Sequence, residues 1–414
     1  MISVEQLGQK AKIAERTLAA ADHQLRNQAL AAMAAGLEKD APGIIQANRQ
    51  DLAAGEAAGL SKALLDRLAL NEERIAGIAQ AIRKIISLPD PLGRELEKTV
   101  RPNGLLIRKV SVPIGVIAVI FEARPNVTAD SAALCIKSGN AVILRGGKEA
   151  IRSNQAMVAS MQRAISSVGL PEDCILLVED TTHESANALM HLNEYIDLLI
   201  PRGGSGLIKT VVENSTVPVI ETGAGTCHTY VAASADPQMA ADIIYNAKVS
   251  RPSVCNACEC MLIHKDAAAQ ALPLIAKQLL AAGVEIRGDE KILAMIPQAI
   301  AARENDWGKE YNDYIIAARI VDSTEDAIEH IRKYGTGHSE CIVTADEAEG
   351  LYFQGAIDAA AVYVNASTRF TDGGEFGLGA EIGISTQKLH ARGPLGLREL
   401  TSAKYLINGT GQIR

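Results

Sequence analysis

Three cysteines lie within a single hexapeptide: Cys255, Cys258 and Cys260. They could form a zinc site, a redox pair or a set of small buried side chains, or one of them could be a nucleophile. A tetrahedral zinc site needs a fourth ligand, and His264 is the one nearby candidate. Cys255 comes first, beside Arg251, and we expect it at a turn from a loop into a helix, where both features lower a thiol pKa. Cys255 is therefore the candidate catalytic residue.

Two glycine-rich turns follow strand-like apolar segments. Gly146 and Gly147 follow AVILR, whereas Gly203 and Gly204 follow IDLLIP and precede a helical segment near Ser205. Free N–H groups at such turns and at helix starts attract phosphate, which favours a dinucleotide site. Neither turn matches the GxGxxG pattern, so a plain structural turn remains an alternative.

Arg145 and Lys148 flank the first of these turns. Two cations in this place could hold a ribose 2′-phosphate, which would select NADP over NAD. A pair of solvated surface charges is the alternative.

Glu221 ends the apolar segment VPVIE and precedes the flexible sequence TGAG. Such a carboxylate could act as a general base, hold a ribose or cap a turn, and its local sequence favours the cap. The histidines show no HxxxH or triad pattern, so we expect no catalytic histidine and no metal site.

These residues lie in a pattern that predicts an α/β fold. Residues 4 to about 88 show helical spacing of apolar positions, and a hairpin is expected at 97–111 around Pro102-Asn103-Gly104. Five strands alternating with helices follow, at 116–121, 141–145, 174–179, 196–201 and 217–221. This alternation predicts a parallel sheet covered by helices on both faces. A second alternating stretch runs from about 224 to 385, with strands near CMLIH, YIIAARIV, ECIVT and AAVYVN, and it predicts a second α/β domain. The tail is short and β-prone.

The composition narrows the possible functions. Of the 414 residues, 48% are hydrophobic and 22% are charged, and the formal net charge is −8 without an extended basic block. This argues for a folded globular protein that does not bind nucleic acid. The longest apolar run, 112–121, is half the length needed to cross a membrane, and Glu5 and Lys10 interrupt any signal-peptide core. We therefore expect no membrane association and a cytoplasmic location.

Five segments together resemble the aldehyde dehydrogenase superfamily, at 112–150, 218–231, 247–264, 307–344 and 366–397. The motifs EARPNVT and KSGNAVILRGGKEA resemble the branch that reduces glutamyl 5-phosphate. The resemblance implies an NADP-binding, Rossmann-like domain at 1–96 and 112–223 and a catalytic α/β domain at 224–388. It also implies an oligomerisation element made of the hairpin at 97–111 and a C-terminal strand at 398–414.

The resemblance also implies roles for individual residues. Cys255 would form a thioester with the glutamyl group, and Glu310 would hold the nicotinamide ribose. Arg145 takes the place of a lysine that contacts the adenosine ribose, and Lys148 replaces an acidic residue of NAD-dependent relatives. Glu221 matches a carboxylate that activates water in hydrolysing relatives.

The oxyanion donor differs from that of typical members of the superfamily. They carry an aromatic-Asn motif where this chain has Glu122 to Asn126. Asn126 and the backbone N–H of Cys255 are the candidate oxyanion donors.

The activity implied is NADPH-dependent reduction of L-glutamyl 5-phosphate to L-glutamate 5-semialdehyde and phosphate, the second step of proline biosynthesis from glutamate. The implied partners are further copies of the chain, as a dimer or tetramer, and the glutamate 5-kinase that makes the labile substrate. The alternatives are a non-phosphorylating semialdehyde dehydrogenase using Glu221 as base, a cysteine hydrolase or acyltransferase, and a zinc-binding protein without enzymatic activity.

Overall fold

The computed structural model describes residues 2–414, apart from the side chains of Ala63 and Ser205. It divides the chain into two compact units. The first contains the described chain up to Thr222 together with Gly377–Gly383 and Leu395–Arg414, and the second contains Gly223–Phe376 and Ile384–Pro394. The chain therefore passes from one unit to the other after residues 222, 376, 383 and 394.

The N-terminal segment is helical, which confirms the expectation from its apolar spacing. Its helices are α1 Val4–Ala20, α2 His23–Lys39, α3 Ala41–Ala57, α4 Lys62–Leu68 and α5 Glu72–Ser87. The side chains of Ser3, Asp22 and Asn71 each accept a backbone N–H in the first turn of the helix that follows, which fixes where these helices begin. Leu7 and Ala11 of α1 are buried in one core with Val116, Ala118 and Ile143 of the first parallel sheet.

Two short antiparallel strands follow, β1 Glu95–Val100 and β2 Leu106–Pro113, so the predicted hairpin is confirmed. The predicted C-terminal strand is also present, as β16 Thr401–Asn408, and it pairs antiparallel with the other side of β2. The result is a three-stranded sheet in the order β1-β2-β16.

The first parallel sheet has the order β5-β4-β3-β6. Its strands are β3 Val116–Phe121, β4 Ala141–Arg145, β5 Ile175–Leu177 and β6 Leu198–Arg202. The helices of this part are α6 Pro125–Lys137, α7 Ile151–Ser167, α8 His183–Met190 and α9 Ser205–Asn214. Every residue of β3 is buried, as expected for a central strand covered on both faces.

The expectation of a fifth strand at 217–221 is wrong. This segment forms one isolated bridge, between Val219 and Leu199 of β6. The N–H of Leu199 donates to the carbonyl of Pro218, and the N–H of Ile220 donates back to Leu199. Pro218 has no N–H of its own, so it cannot contribute to a continuous ladder.

The second unit contains a seven-stranded parallel sheet in the order β10-β9-β11-β8-β7-β12-β13. Its strands are β7 Cys227–Val231, β8 Cys258–His264, β9 Glu285–Gly288, β10 Ile300–Ala301, β11 Ile315–Val321, β12 Ser339–Val343 and β13 Ala361–Val364. The connecting helices are α10 Pro237–Val249, α11 Lys265–Ala281, α12 Glu290–Met295, α13 Thr324–Tyr334 and α14 Glu347–Ala356. A two-stranded ribbon, β14 Ile384–Ser385 with β15 Gly393–Pro394, completes it.

Alternate residues of β8 pack into different cores of the second unit. Met261 and Ile263 pack with α10 and α11, whereas Cys260 and Leu262 pack with α13. Helices therefore cover both faces of this sheet, which confirms the predicted second α/β region. No helix among the described residues is long and apolar enough to span a bilayer.

Candidate active site

Cys255 lies in the loop that leads into β8, at the amino end of that strand. Its side chain is partly exposed, whereas Cys227, Cys258 and Cys260 are buried. Burial raises the pKa of Cys258 to about 11 and the pKa values of Cys227 and Cys260 well above the ordinary range. Within this group, Cys255 is the thiol that a substrate can reach.

The residues after Cys255 form a turn and then β8, so the expectation of a helix start beside the thiol is wrong. The N–H of Ala257 donates to the carbonyl of Val254, which closes the turn. The physical reason is that the apolar residues Cys260–Ile263 pair as a buried strand within a parallel sheet, while the buried carboxylate of Glu259 is paired with Lys248 at 2.7 Å.

The loop around Cys255 is held by close backbone packing. A Cβ atom on Gly225 would lie 1.4 Å from the carbonyl oxygen of Cys255, so only glycine fits there. The thiol of Cys227 donates to the same carbonyl oxygen at 3.2 Å. These contacts fix the backbone from which the Cys255 side chain projects.

Two arginines add positive charge beside this loop. Nη1 of Arg369 donates to Oδ1 of Asn256, and its Nε donates to Oγ of Ser250 at 3.1 Å. Burial lowers the pKa of the Arg369 guanidinium, and the nearby positive charge of Arg251 lowers it further. Two adjacent guanidinium groups disfavour each other, so an anion there would relieve their repulsion.

Glu310 joins the same region from the loop before β11. Its Oε1 accepts the N–H of Gly225 at 3.1 Å. Oγ1 of Thr226 donates to the carbonyl of Gly308, and the N–H of Thr226 donates to Oγ1 of Thr336. Glu310 is therefore positioned by the segment that also packs against Cys255.

A carboxylate from the segment after β3 lies at the predicted phosphate turn, at the start of α9. Oε2 of Glu122 accepts the N–H of Gly204 at 2.8 Å. A Cβ atom on Gly203 would lie 2.6 Å from the same oxygen. Glu122 thus occupies the favourable position for an anion at the helix start, a contact the sequence reading did not foresee. The side chain of Ser205 lies outside the described residues.

The turn after β4 is organised in a similar way by Glu149. Its Oε1 accepts the N–H of Ala123 at 2.7 Å, and a Cβ atom on Gly147 would lie 2.1 Å from it. Lys148 is exposed at this turn. Glu149 lies two positions after Gly147, which is a signal that the sequence offers, whereas Glu122 is 82 positions from Gly204 and has no such local signal.

Arg145 makes contacts that are largely structural. Its Nη2 donates to the carbonyl oxygens of Thr181 and Thr182, at 2.7 and 2.9 Å. The guanidinium thereby holds the loop that follows β5. Because one end of the Arg145 guanidinium is bound to these carbonyls, Lys148 has more donors available for a bound phosphate.

Asn126 lies in the first turn of α6 and is exposed. Its Nδ2 donates to Oδ2 of Asp130 at 3.0 Å. Burial raises the pKa of Asp130 to about 6, although Asn126 and Arg202 both act to lower it. Glu221 is partly buried, next to Thr222, whose hydroxyl donates to the carbonyl of Pro201.

The structure brings Cys255 and Glu310 together in the second unit. The other predicted site residues lie in the first unit: Asn126, Arg145, Gly147, Lys148, Gly203, Gly204, Ser205 and Glu221. All of them except Glu221 lie in the turns or helix starts that follow β3, β4 and β6, at the carboxyl ends of the strands, where nucleotides bind in many parallel sheets.

Comparisons with known proteins identify the family of this chain. A model of the aldehyde dehydrogenase family matches residues 3–310. The chain is 56% identical over 413 residues to the gamma-glutamyl phosphate reductase of Moorella thermoacetica, covering 100% of this chain and 99% of that protein. It is also 56% identical over 414 residues to that of Carboxydothermus hydrogenoformans, with both chains fully covered.

Solved structures show the same similarity. The crystal structure of gamma-glutamyl phosphate reductase from Thermotoga maritima matches with a TM-score of 0.98 and 46% identity, covering 100% of both chains. An acetylating aldehyde dehydrogenase from Geobacillus thermoglucosidasius matches with a TM-score of 0.72 and 18% identity, covering 99% of this chain and 97% of that one. This second match concerns the fold alone.

Proposed function

The chain belongs to the aldehyde dehydrogenase family, among the gamma-glutamyl phosphate reductases, and we propose that it reduces L-glutamyl 5-phosphate with NADPH through a thioester on Cys255. The products are L-glutamate 5-semialdehyde and phosphate, and the reaction is the second step of proline biosynthesis from glutamate. The observation that carries the mechanism is the partly exposed Cys255, fixed by Gly225 and flanked by Arg251 and Arg369.

The first half of the reaction is thioester formation. The thiolate of Cys255 attacks C5 of the acyl phosphate, the C5–O bond to phosphate breaks, and inorganic phosphate leaves with the bonding electrons. Arg251 and Arg369 hold the departing phosphate and the α-carboxylate, because each is a dianion or anion that a guanidinium binds well. The backbone N–H of Cys255 and the amide of Asn126 donate to the oxyanion.

The second half is reduction of the thioester. NADPH, when bound, supplies a hydride to the thioester carbonyl carbon. The resulting oxyanion reforms the carbonyl and expels the Cys255 thiolate, which releases the semialdehyde. Glu221 takes no part as a base here, because activating water would hydrolyse the thioester.

The first unit has features that suit the NADP cofactor. Lys148 is an exposed cation at the turn after β4, and Gly204 precedes the first turn of α9, where backbone N–H groups favour a phosphate. We assign the 2′-phosphate to Lys148 and the nicotinamide ribose to Glu310. Glu122 must release the N–H of Gly204 if a phosphate is to bind there.

The test is the reverse reaction, followed by the absorbance of NADPH. Purified protein receives NADP⁺ and glutamate 5-semialdehyde, with and without inorganic phosphate. We expect turnover that requires phosphate and that Cys255→Ser abolishes. Cys258→Ser is the matched control, because that thiol is buried, and it should retain activity. Phosphate-independent turnover would instead support a hydrolysing dehydrogenase with Glu221 as its base.

We also propose that the three-stranded sheet associates with a second copy of the chain. Its outer strands carry exposed apolar side chains: Leu96 and Val100 on β1, at 46% and 66% exposure, and Tyr405 and Ile407 on β16, at 59% each. Exposed strand edges of this kind favour pairing. Light scattering after gel filtration should give a dimer or tetramer that Val100→Glu with Ile407→Glu reduces to monomers, whereas a monomeric wild type would refute the proposal.

A further proposal concerns the enzyme that makes the substrate. An acyl phosphate is labile, so association with the glutamate 5-kinase that makes it would shorten its exposure to water. Co-sedimentation of the two purified proteins tests this, and independent sedimentation would refute it.

We also propose that the protein is located in the cytoplasm, where NADPH and reduced thiols are maintained.

A further inference from the structure

A second group of chemically active side chains lies inside the second unit. It consists of His228 on β7, Cys260 on β8 and His330 on α13, which are 0%, 0% and 4% exposed. One ligand atom from each residue lies within 4.8 Å of the others, and Sγ of Cys260 is 3.7 Å from Nε2 of His330. Zinc bonds of about 2.0–2.3 Å at tetrahedral angles place their ligand atoms about 3.5 Å apart.

His228 is already oriented as metal-binding histidines are. Oε2 of Glu340 accepts from its Nδ1 at 3.0 Å and from its backbone N–H at 2.8 Å. Nε2 of His228 is buried and has no hydrogen-bond partner. When a carboxylate accepts the N–H of one ring nitrogen, the other ring nitrogen keeps its lone pair. This arrangement orients a histidine to bind a metal ion.

A cavity of about 550 Å³ gives access to the cluster, because His330 lines it. Four carboxylates also line it: Asp289, Asp322, Asp326 and Glu329. Three cations, Lys291, Arg319 and Lys333, lie among them. The acidic majority favours entry of a cation.

We propose that His228 Nε2, Cys260 Sγ and His330 Nε2 bind a divalent ion of zinc's class, with solvent from the cavity as the fourth ligand and Glu340 as the outer carboxylate. The Cys260 thiol loses its proton to solvent on binding. The charges then balance, since the thiolate and the Glu340 carboxylate offset the two positive charges of the ion. Nitrogen and sulfur ligands select zinc over magnesium or calcium.

Arg319 competes with the metal ion. Its Nη1 lies 3.1 Å from Nδ1 of His330, and because arginine only donates, Nδ1 accepts and Nε2 carries the proton. Metal binding at Nε2 moves that proton to Nδ1, so Arg319 must withdraw toward the cavity it lines. A glutamine in place of Arg319 would offer an acceptor to the new N–H.

The experiment uses the whole chain, stripped with a chelator and titrated with Co²⁺. A thiolate ligand gives an intense near-ultraviolet charge-transfer band on Co²⁺, and Zn²⁺ should displace it at one equivalent. Cys260→Ser should abolish the band, whereas Cys258→Ser, which changes a buried thiol of the same strand, and Cys255→Ser should keep it. Arg319→Gln should tighten binding by roughly tenfold.

His330→Gln provides a second test if Cys260→Ser fails to fold, with folding checked by circular dichroism. It should keep the fold and lose the band. The proposal is overturned if the folded wild type shows no band, or if the band survives Cys260→Ser and disappears with Cys255→Ser. None of these readouts depends on enzymatic activity.

Discussion

The two parallel sheets place their candidate functional loops at opposite strand ends. In the first unit, the glycine turns follow β4 and β6, at the carboxyl ends of the strands. In the second unit, the loops with Glu310, Cys255, Gly225 and Thr336 precede β11, β8, β7 and β12, which are neighbours in the sheet. The general rule for parallel sheets therefore locates the first set of loops but not the second.

The two sets of loops are also held differently. In the first unit, side-chain carboxylates of Glu122 and Glu149 accept backbone N–H groups at turns near the surface. In the second unit, Glu310 and Thr336 also accept backbone N–H groups, but backbone packs directly on backbone as well, as Gly225 does on the Cys255 carbonyl. A side chain can rotate away at little cost, whereas a backbone contact cannot, so substitutions should be far more damaging in the second set.

Gly225→Ala is expected to have the largest effect. The added methyl group would lie 1.4 Å from the Cys255 carbonyl oxygen, so the loop must shift by an ångström or more. Displacement on that scale costs on the order of 10²-fold in kcat. The control is Gly206→Ala in α9, where an added Cβ meets nothing within 4 Å. Equal losses in both variants, measured by steady-state kinetics, would remove the contrast between the two sets of loops.

Lys148→Gln should have an intermediate effect. One exposed ion pair contributes about 1 kcal/mol, so KM for NADPH should rise about fivefold while KM for NADH stays unchanged. Arg145→Gln is the comparison, because that guanidinium holds the carbonyls of Thr181 and Thr182. It should lower the melting temperature and leave the preference between the cofactors intact. If Arg145→Gln alone changes the preference, the assignment of the 2′-phosphate moves to Arg145.

Asp130→Asn should have the smallest effect, and this effect should be on the stability of the fold rather than on activity. The pKa of Asp130 is raised to about 6, above the value of about 3.9 in an unfolded chain, so the folded protein binds the extra proton in this range. The wild type therefore loses stability as the pH rises from about 4 to 6. At pH 7 the free energy of unfolding of the variant should exceed that of the wild type by about 1 kcal/mol, and at pH 4 the two values should be equal. A difference that persists at pH 4 in denaturant titrations would contradict this origin.

Local patterns predicted most of the elements. Alternation of apolar runs and helical spacing identified β3, β4, β6, β8, β11, β12 and β13 and the N-terminal helices. Three strands of the second sheet were missed: β7, β9 and β10. β7 reads CHTYV, and its polar His228 and Thr229 are buried only because Glu340 and Cys258 lie beside them.

The candidate site was predictable only in part. Cys255 has a recognisable neighbourhood in the sequence, as do the glycine turns. The contact of Glu310 with Gly225 joins residues 85 positions apart, and the contact of Glu122 with Gly204 joins residues 82 apart. The cluster of His228, Cys260 and His330 likewise gathers side chains from three elements, which no spacing rule within one segment can detect.

The pairing of β16 with β2 has a consequence for synthesis of the chain. Thr401 pairs with Pro113 and Asn408 with Leu106, so β2 must wait for the last strand to emerge from the ribosome. At about 5–20 residues per second, this interval lasts roughly 15 to 60 seconds. One edge of β2 stays open throughout, exposed to mispairing with neighbouring nascent chains on the same messenger RNA. Truncation near the C-terminus would make that temporary exposure permanent.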